Sequence, residues 1–271
     1  MVELETNCST GIERAYNNVV DIVLIHGWGL NSGIWSEFIQ LAEQCAPELR
    51  FHSIDLPGYG SLASEPSSSS LRELALSCLS RAPEKAIWVG WSLGGMVALK
   101  AAMLDLGPAV RGLYLIASSP CFVAKAGWQY GVDLEIFERF SKEFSESYST
   151  ALSMFLLLQS GANKGARKLA KQAHAAVCEF SDPSETTLKQ GLECLARTDL
   201  RQDLMGSEAL RVLPSRVVSC RLDRVANPEG GRVLAETIEA EFVQIKTGHA
   251  PFLSAPQTVL KDLTEFVAGA A

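Results

Sequence analysis

Six short, nearly unbroken apolar runs separated by helical patterns constrain this chain more than any other feature. They occupy residues 19–25, 49–54, 86–90, 112–116, 216–220 and 241–245. A strand that is apolar on both faces must be covered on both faces, and intervening helices supply the covers. The pattern therefore predicts a mostly parallel sheet with helices on both sides. The stretch 93–106 is rich in Ala and Gly and can lie close against such a sheet. Near the C-terminus, Val259, Leu260, Leu263, Phe266 and Val267 recur at helical spacing and form another covering stripe. A chain of 271 residues, 47% apolar and 20% charged, has the material for one such two-sided core.

The rhythm breaks between residues 121 and 195, where strands disappear and helical patterns cover 133–148, 149–159, 166–178 and 186–195. Asp182-Pro183-Ser184-Glu185 reads as a helix start, with Pro early and acid in the first turn. The expected organisation is a sheet domain formed by 1–120 and 196–271, with a helical cap, 121–195, inserted in it. The serine-rich tract 64–70 precedes an immediate return of the strand–helix rhythm, so it reads as a surface loop.

Gly90-Trp91-Ser92-Leu93-Gly94-Gly95 follows one of the apolar runs and opens a small-residue helix. That is the setting of a nucleophile elbow, a sharp turn that lifts a serine oxygen above the sheet and needs glycine where the backbone is crowded. A serine hydroxyl is a poor nucleophile near neutral pH without an adjacent base. Of the four histidines, His249 alone follows the last strand, in Lys246-Thr247-Gly248-His249-Ala250-Pro251-Phe252, at the carboxyl edge where open α/β sheets bind ligands. His26 belongs to a loop, His52 to a strand pattern and His174 to a helix of the insertion.

The orienting acid should lie after a late strand, and Asp223 does. Asp199 and Asp203 precede that strand and read as surface or helix-end charges. Asp55, in Asp55-Leu56-Pro57-Gly58-Tyr59-Gly60, reads as structural. His26-Gly27-Trp28-Gly29 follows the first central strand, where a loop can supply an oxyanion donor; by position this is the Trp28 N–H, with Leu93 N–H as the other. His26 itself reads as a residue that bonds within the loop. Serine at position 92, where other hydrolases of this type use Asp or Cys, favours acyl transfer to water.

Several function classes are excluded or disfavoured. A formal charge of −7 argues against nucleic acid. Seven scattered cysteines without metal-ligand spacing read as reduced thiols, and no metal or organic cofactor is expected. The acidic N-terminus has no signal-peptide pattern, and no apolar stretch approaches the roughly 20 residues of a membrane helix. The expectation is a soluble, cytoplasmic monomer.

His26-Gly27-Trp28-Gly29-Leu30-Asn31, the segment 85–95, Ala117-Ser118-Ser119-Pro120-Cys121-Phe122, the segments 155–159 and 198–204, and His249-Ala250-Pro251-Phe252 together resemble one family. It is the pimeloyl-[acyl-carrier protein] methyl ester esterases of biotin synthesis, within the α/β-hydrolase fold. The resemblance runs from about residue 20 to the C-terminus. It implies hydrolysis of a methyl ester on a carrier-bound pimeloyl chain, with Trp28 and Leu93 at the oxyanion site and Phe155, Leu156, Leu157, Leu158 and Gln159 along the acyl channel.

An acidic carrier protein would need local positive charge, and the segment 161–177 holds Lys164, Arg167, Lys168 and Lys171 without an acidic residue. Arg167 and Lys171, four apart, are the candidate docking pair. Relatives usually carry Arg just before the 155–159 stretch and Gly in the turn before the acid; here Thr150, Ser153 and Met154 stand at the first place and Ser219-Cys220-Arg221-Leu222 at the second. The alternatives are a short-chain carboxylesterase, a carbon–carbon bond hydrolase with the same triad, and a non-catalytic receptor on a hydrolase fold.

Overall fold

A computed structural model describes residues 19–105, 107–159 and 166–270. The six apolar runs become the strands β1 (Val20–Ile25), β2 (Leu49–Ile54), β3 (Ala86–Trp91), β4 (Val110–Ile116), β5 (Ser215–Cys220) and β6 (Glu241–Ile245). They form one sheet in the order β2-β1-β3-β4-β5-β6, with every pairing parallel. The central strand β3 is buried at all six positions, whereas the edge strands β2 and β6 are partly exposed.

Side chains alternate between two cores. Val23, Ile25, Trp88, Leu113, Leu115 and Val217 face one of them, which is closed by α2 (Leu71–Leu79), α3 (Leu93–Leu104) and α10 (Pro228–Thr237). Ile22, Leu24, Ile87, Val89, Tyr114 and Val218 face the other, closed by α1 (Ser36–Cys45) and α12 (Pro256–Ala270). The expected stripe of Val259, Leu260, Leu263, Phe266 and Val267 is the buried side of α12.

Between the neighbouring strands β4 and β5 the described residues form six helices: α4 (Leu134–Glu146), α5 (Tyr148–Gln159), α6 (Ala166–Val177), α7 (Glu185–Arg197), α8 (Arg201–Met205) and α9 (Glu208–Val212). A further short helix, α11 (Pro251–Ser254), follows β6. Helix α7 begins where the Asp-Pro-Ser-Glu turn predicts, with Ser184 as N-cap accepting from the Thr187 N–H. Helices α5 and α6 pack through Leu152, Leu156, Ala173 and Val177 onto the second core, and α7 packs through Leu188, Leu192 and Leu195 onto the first.

The strand order places the site. From β1 the chain steps outward to β2, then crosses back to β3 on the other side of β1. This reversal opens a crevice at the carboxyl ends of β1 and β3, where the loop 26–31 and the turn at Ser92 emerge side by side.

Candidate active site

Ser92 sits between β3 and α3 with φ 56° and ψ −117°, a left-handed conformation that L-residues avoid. Such a residue costs about 1–3 kcal/mol and persists only where its surroundings hold it. Here the Ser92 N–H donates to the Ile116 carbonyl at 2.9 Å, and the Ser92 carbonyl accepts from Gly95 N–H at 3.0 Å and Ser118 Oγ at 2.9 Å.

The glycines around it are steric requirements. A Cβ on Gly90 would lie 2.4 Å from the Gly94 carbonyl oxygen, and one on Gly94 would lie 2.3 Å from that of Ile25. The helix start is thereby pressed against the end of β1. Leu93 is the first residue of α3, so its N–H has no intrahelical acceptor.

His249 and Asp223 meet on the other side of the turn. His249 Nδ1 stands 2.8 Å from Asp223 Oδ2, with both side chains almost fully buried. The other carboxylate oxygen, Oδ1, accepts from Val225 N–H at 2.7 Å and Ala226 N–H at 2.9 Å, so Asp223 is held by its own turn. A carboxylate facing Nδ1 accepts a hydrogen bond from the Nδ1–H, which leaves Nε2 as the basic nitrogen. The turn 221–223 contains no left-handed residue, and this is why it forms without the glycine usual in relatives. Two backbone bonds, Arg221 N–H to Ile245 and Leu222 N–H to Thr247, fasten it to the end of β6.

The rival acids are engaged elsewhere. Asp55 accepts from Ser32 N–H at 2.6 Å, Ser61 N–H at 2.7 Å and both serine hydroxyls, and it ties the segment after β1 to the one after β2. Asp199 pairs with Arg201, and Asp203 with Lys100.

The loop after β1 is built around His26. Its Nδ1 lies 2.7 Å from the Gly27 carbonyl oxygen, while Nε2 accepts from Leu56 N–H at 3.0 Å. Only the neutral ring protonated at Nδ1 can make both bonds. Because a trans peptide points its C=O and N–H in opposite directions, fixing the Gly27 carbonyl also fixes the direction of the Trp28 N–H. His26 is fully buried, and burial holds its pKa below the ordinary value, against the opposing pull of Asp55 and of the bond to Gly27.

The consequence for stability has a definite sign. Below about pH 6.5 the unfolded chain takes up a proton at His26 that the folded chain refuses, so stability is lost as pH falls. The expected slope is up to about 1.4 kcal/mol per pH unit between 6.5 and the lowered folded value. Urea unfolding of the wild type and His26→Gln from pH 5 to 7 should show that slope flattened in the variant; equal slopes would assign the proton elsewhere.

Three further contacts, to which the sequence assigned no role, complete the site. The Trp91 indole N–H donates to the His249 carbonyl at 2.8 Å and holds the base-bearing loop. Ser118, within Ala117-Ser118-Ser119-Pro120, buttresses the elbow as described. Gly191 lets α7 approach the crevice, since a Cβ there would lie 2.5 Å from Trp28 Cδ1.

Of the residues expected along the acyl channel, Leu156 is fully buried in the second core. The side chains of Phe155, Leu157, Leu158 and Gln159 lie outside the described residues, as do Lys164 and the Arg167 side chain. Lys168 and Lys171 are exposed on α6, whose other side faces α1 through Gln172 and Glu37. Among the described residues, no group of three or more His, Cys, Asp or Glu side chains is placed to hold a metal ion. No helix among them is long and apolar enough to cross a membrane.

Comparison with known proteins agrees with this architecture. The profile of the Alpha/beta hydrolase family matches residues 22–262. A pimeloyl-[acyl-carrier protein] methyl ester esterase of Vibrio vulnificus is 36% identical over 248 residues, 91% of this chain and 93% of the relative. One from Pectobacterium carotovorum is 37% identical over 247 residues, again 91% and 93%. Among solved structures, an esterase from Exiguobacterium antarcticum superposes with TM-score 0.76 at 19% identity, covering 92% of both chains. A bromoperoxidase from Bacillus anthracis gives 0.77 at 17%, also covering 92% of both. Those two likenesses speak to the fold. The chain belongs to the alpha/beta hydrolase family and, within it, to the family of the pimeloyl-[acyl-carrier protein] methyl ester esterases, and is a carboxylic ester hydrolase.

Proposed function

We propose that this chain hydrolyses the methyl ester of pimeloyl-[acyl-carrier protein] in biotin synthesis, with Ser92 as nucleophile, His249 as base and Asp223 as orienting acid. The observations that carry the chemistry are the serine held at φ 56° in the turn after β3 and a histidine whose Nδ1 lies 2.8 Å from a buried carboxylate. The substrate is carried by the names of relatives about 36% identical over nine-tenths of the chain.

In this reading His249 Nε2 takes the Ser92 proton as Oγ attacks the ester carbonyl, and the oxyanion develops between the N–H groups of Trp28 and Leu93. The tetrahedral intermediate collapses, the C–O bond to the methoxy group breaks, and His249 returns its proton so that methanol leaves. Water then attacks the acyl-enzyme by the same route and frees the pimeloyl carboxylate. Asp223 stabilises the imidazolium formed in both steps.

The helices between β4 and β5 act in this proposal as a cap, 121–195, over the acyl chain, with the stretch 155–159 beside it. The docking pair Arg167 and Lys171 of α6, with Lys168 and Lys171 exposed, meets the acidic carrier protein, and the enzyme works as a cytoplasmic monomer.

The test is kcat/KM on pimeloyl-carrier protein methyl ester against p-nitrophenyl acetate. A preference of about 100-fold or more for the carrier-bound ester is expected, because remote binding energy is used at the reacting centre. Lys171→Glu should lower the carrier-bound value about tenfold and leave the free ester unchanged. Cleavage of the free ester alone would leave a general carboxylesterase and remove the carrier-protein assignment.

A further inference from the structure

The loop that carries Trp28 is bonded to three separate helices of the insertion, each through a different residue. The Trp28 indole N–H donates to the Leu188 carbonyl of α7 at 2.9 Å. The Gly29 carbonyl accepts from the Tyr148 hydroxyl, on the first residue of α5, at 2.9 Å. Asn31 Nδ2 donates to the Val177 carbonyl at the end of α6, also at 2.9 Å, while Asn31 Oδ1 caps the short 3-10 helix Ser32–Trp35. The contact with α6 is tight: a Cβ on Gly33 would lie 2.4 Å from the Ala176 carbonyl oxygen.

This arrangement bears on one N–H group. The loop needs holding, because Gly29 lies at φ 74° and glycine has the widest backbone freedom of any residue. On one side of Trp28 the Gly27 carbonyl is fixed by His26, and on the other the Gly29 carbonyl accepts from Tyr148, with the buried Tyr59 hydroxyl also beside it. The Trp28 amide is therefore clamped between a carbonyl held by the sheet domain and one held by the inserted helices.

We infer that Tyr148 is a positioning residue: its bond to the Gly29 carbonyl makes the Trp28 oxyanion donor dependent on how α5 is seated. The inference rests on the proposed role of Trp28. The Tyr148 hydroxyl touches no reacting atom. It acts by limiting the directions open to the Trp28 N–H, and misdirection of a donor weakens transition-state binding more than ground-state binding. On the proposed placement of 155–159 beside the acyl chain, a chain that seats α5 also aligns the donor, so the kcat of a long-chain ester depends on Tyr148 more than that of an acetate.

The experiment compares wild type, Tyr148→Phe and Asn31→Ala on p-nitrophenyl acetate and p-nitrophenyl hexanoate, with the affinity of an aryl trifluoromethyl ketone measured beside them. The ketone forms a hemiketal with the active serine and places its oxyanion where the ester's would be. Removing the hydroxyl from the half-buried Tyr148 should lower kcat on the hexanoate about five- to tenfold with KM changed less than about twofold. The fall on acetate should be smaller, and ketone affinity should weaken by the same factor as kcat/KM.

Asn31→Ala breaks the tie to α6 and should act in the same direction, which keeps the test open if one variant folds poorly. Unchanged kcat and ketone affinity in the folded variants, or equal losses on both esters, would overturn the inference. Ser92→Ala separates this from the parent reading: an inactive Ser92→Ala beside a fully active Tyr148→Phe rejects the positioning role alone, whereas an active Ser92→Ala rejects the catalytic assignment itself.

Discussion

Ser92→Ala should lose about a million-fold in kcat and keep its fold. Removing a nucleophile from a serine-hydrolase triad costs about that much, and what remains comes from binding and the oxyanion donors. The stability side of the expectation comes from the backbone. Alanine has the same Cβ in the same left-handed conformation, and the turn is held by main-chain bonds from Ser92 N–H and to the Ser92 carbonyl that no side-chain change removes. The Ser92 side chain also makes no capping bond to α3. The change in unfolding free energy should thus stay within about 0.5 kcal/mol. Steady-state hydrolysis and urea unfolding of the same preparation check both halves; an active variant would remove Ser92 from the mechanism.

Asp223→Asn should be nearly as damaging, for a reason visible in its hydrogen bonds. One carboxylate oxygen accepts from two backbone N–H groups, of Val225 and Ala226, and the other faces His249 Nδ1. An asparagine must turn its carbonyl oxygen toward the two backbone donors, because its NH2 group cannot accept from them. That leaves the NH2 facing Nδ1, which must then accept, and the ring proton moves to Nε2. The base is held in the wrong tautomer while the local geometry survives. The expected loss in kcat is about ten-thousand-fold, with little change in Tm. A loss below about tenfold would show that Asp223 does not orient His249.

Much of the fold is legible along the chain because its determinants are local. A strand buried on both faces has to be apolar, as the central runs are, and the six runs read from the sequence are the six strands, shifted by no more than two residues at either end. The four helical patterns of the insertion likewise become α4 to α7, since the 3.6-residue period and a start signal such as Ser184 act within a few turns. The elbow is legible for the same reason: Gly90, Gly94 and Gly95 stand within five residues of one another, and the crowding that demands them is created by the turn itself and the strand end beside it.

What the chain cannot express locally is which distant groups share a hydrogen bond. Asp55, Asp199, Asp203 and Asp223 are chemically identical, and they differ only in what reaches them: serines and their amides for Asp55, an arginine, a lysine, and for Asp223 two turn amides with His249. The tie between Tyr148 and Gly29 spans 119 residues and leaves no periodic or compositional trace, because a tyrosine at the first position of a helix has many other uses. Sequence alone determined the parallel sheet, the turn that bears Ser92 and the place of His249 after the last strand, through steric and burial rules that act between near neighbours. The sequence also pointed to Asp223 by its place after a late strand. Only the tertiary structure decided which amides hold that carboxylate against the histidine and which helices grip the loop of Trp28, since those bonds form when remote segments pack and the order of strands brings their ends to one crevice.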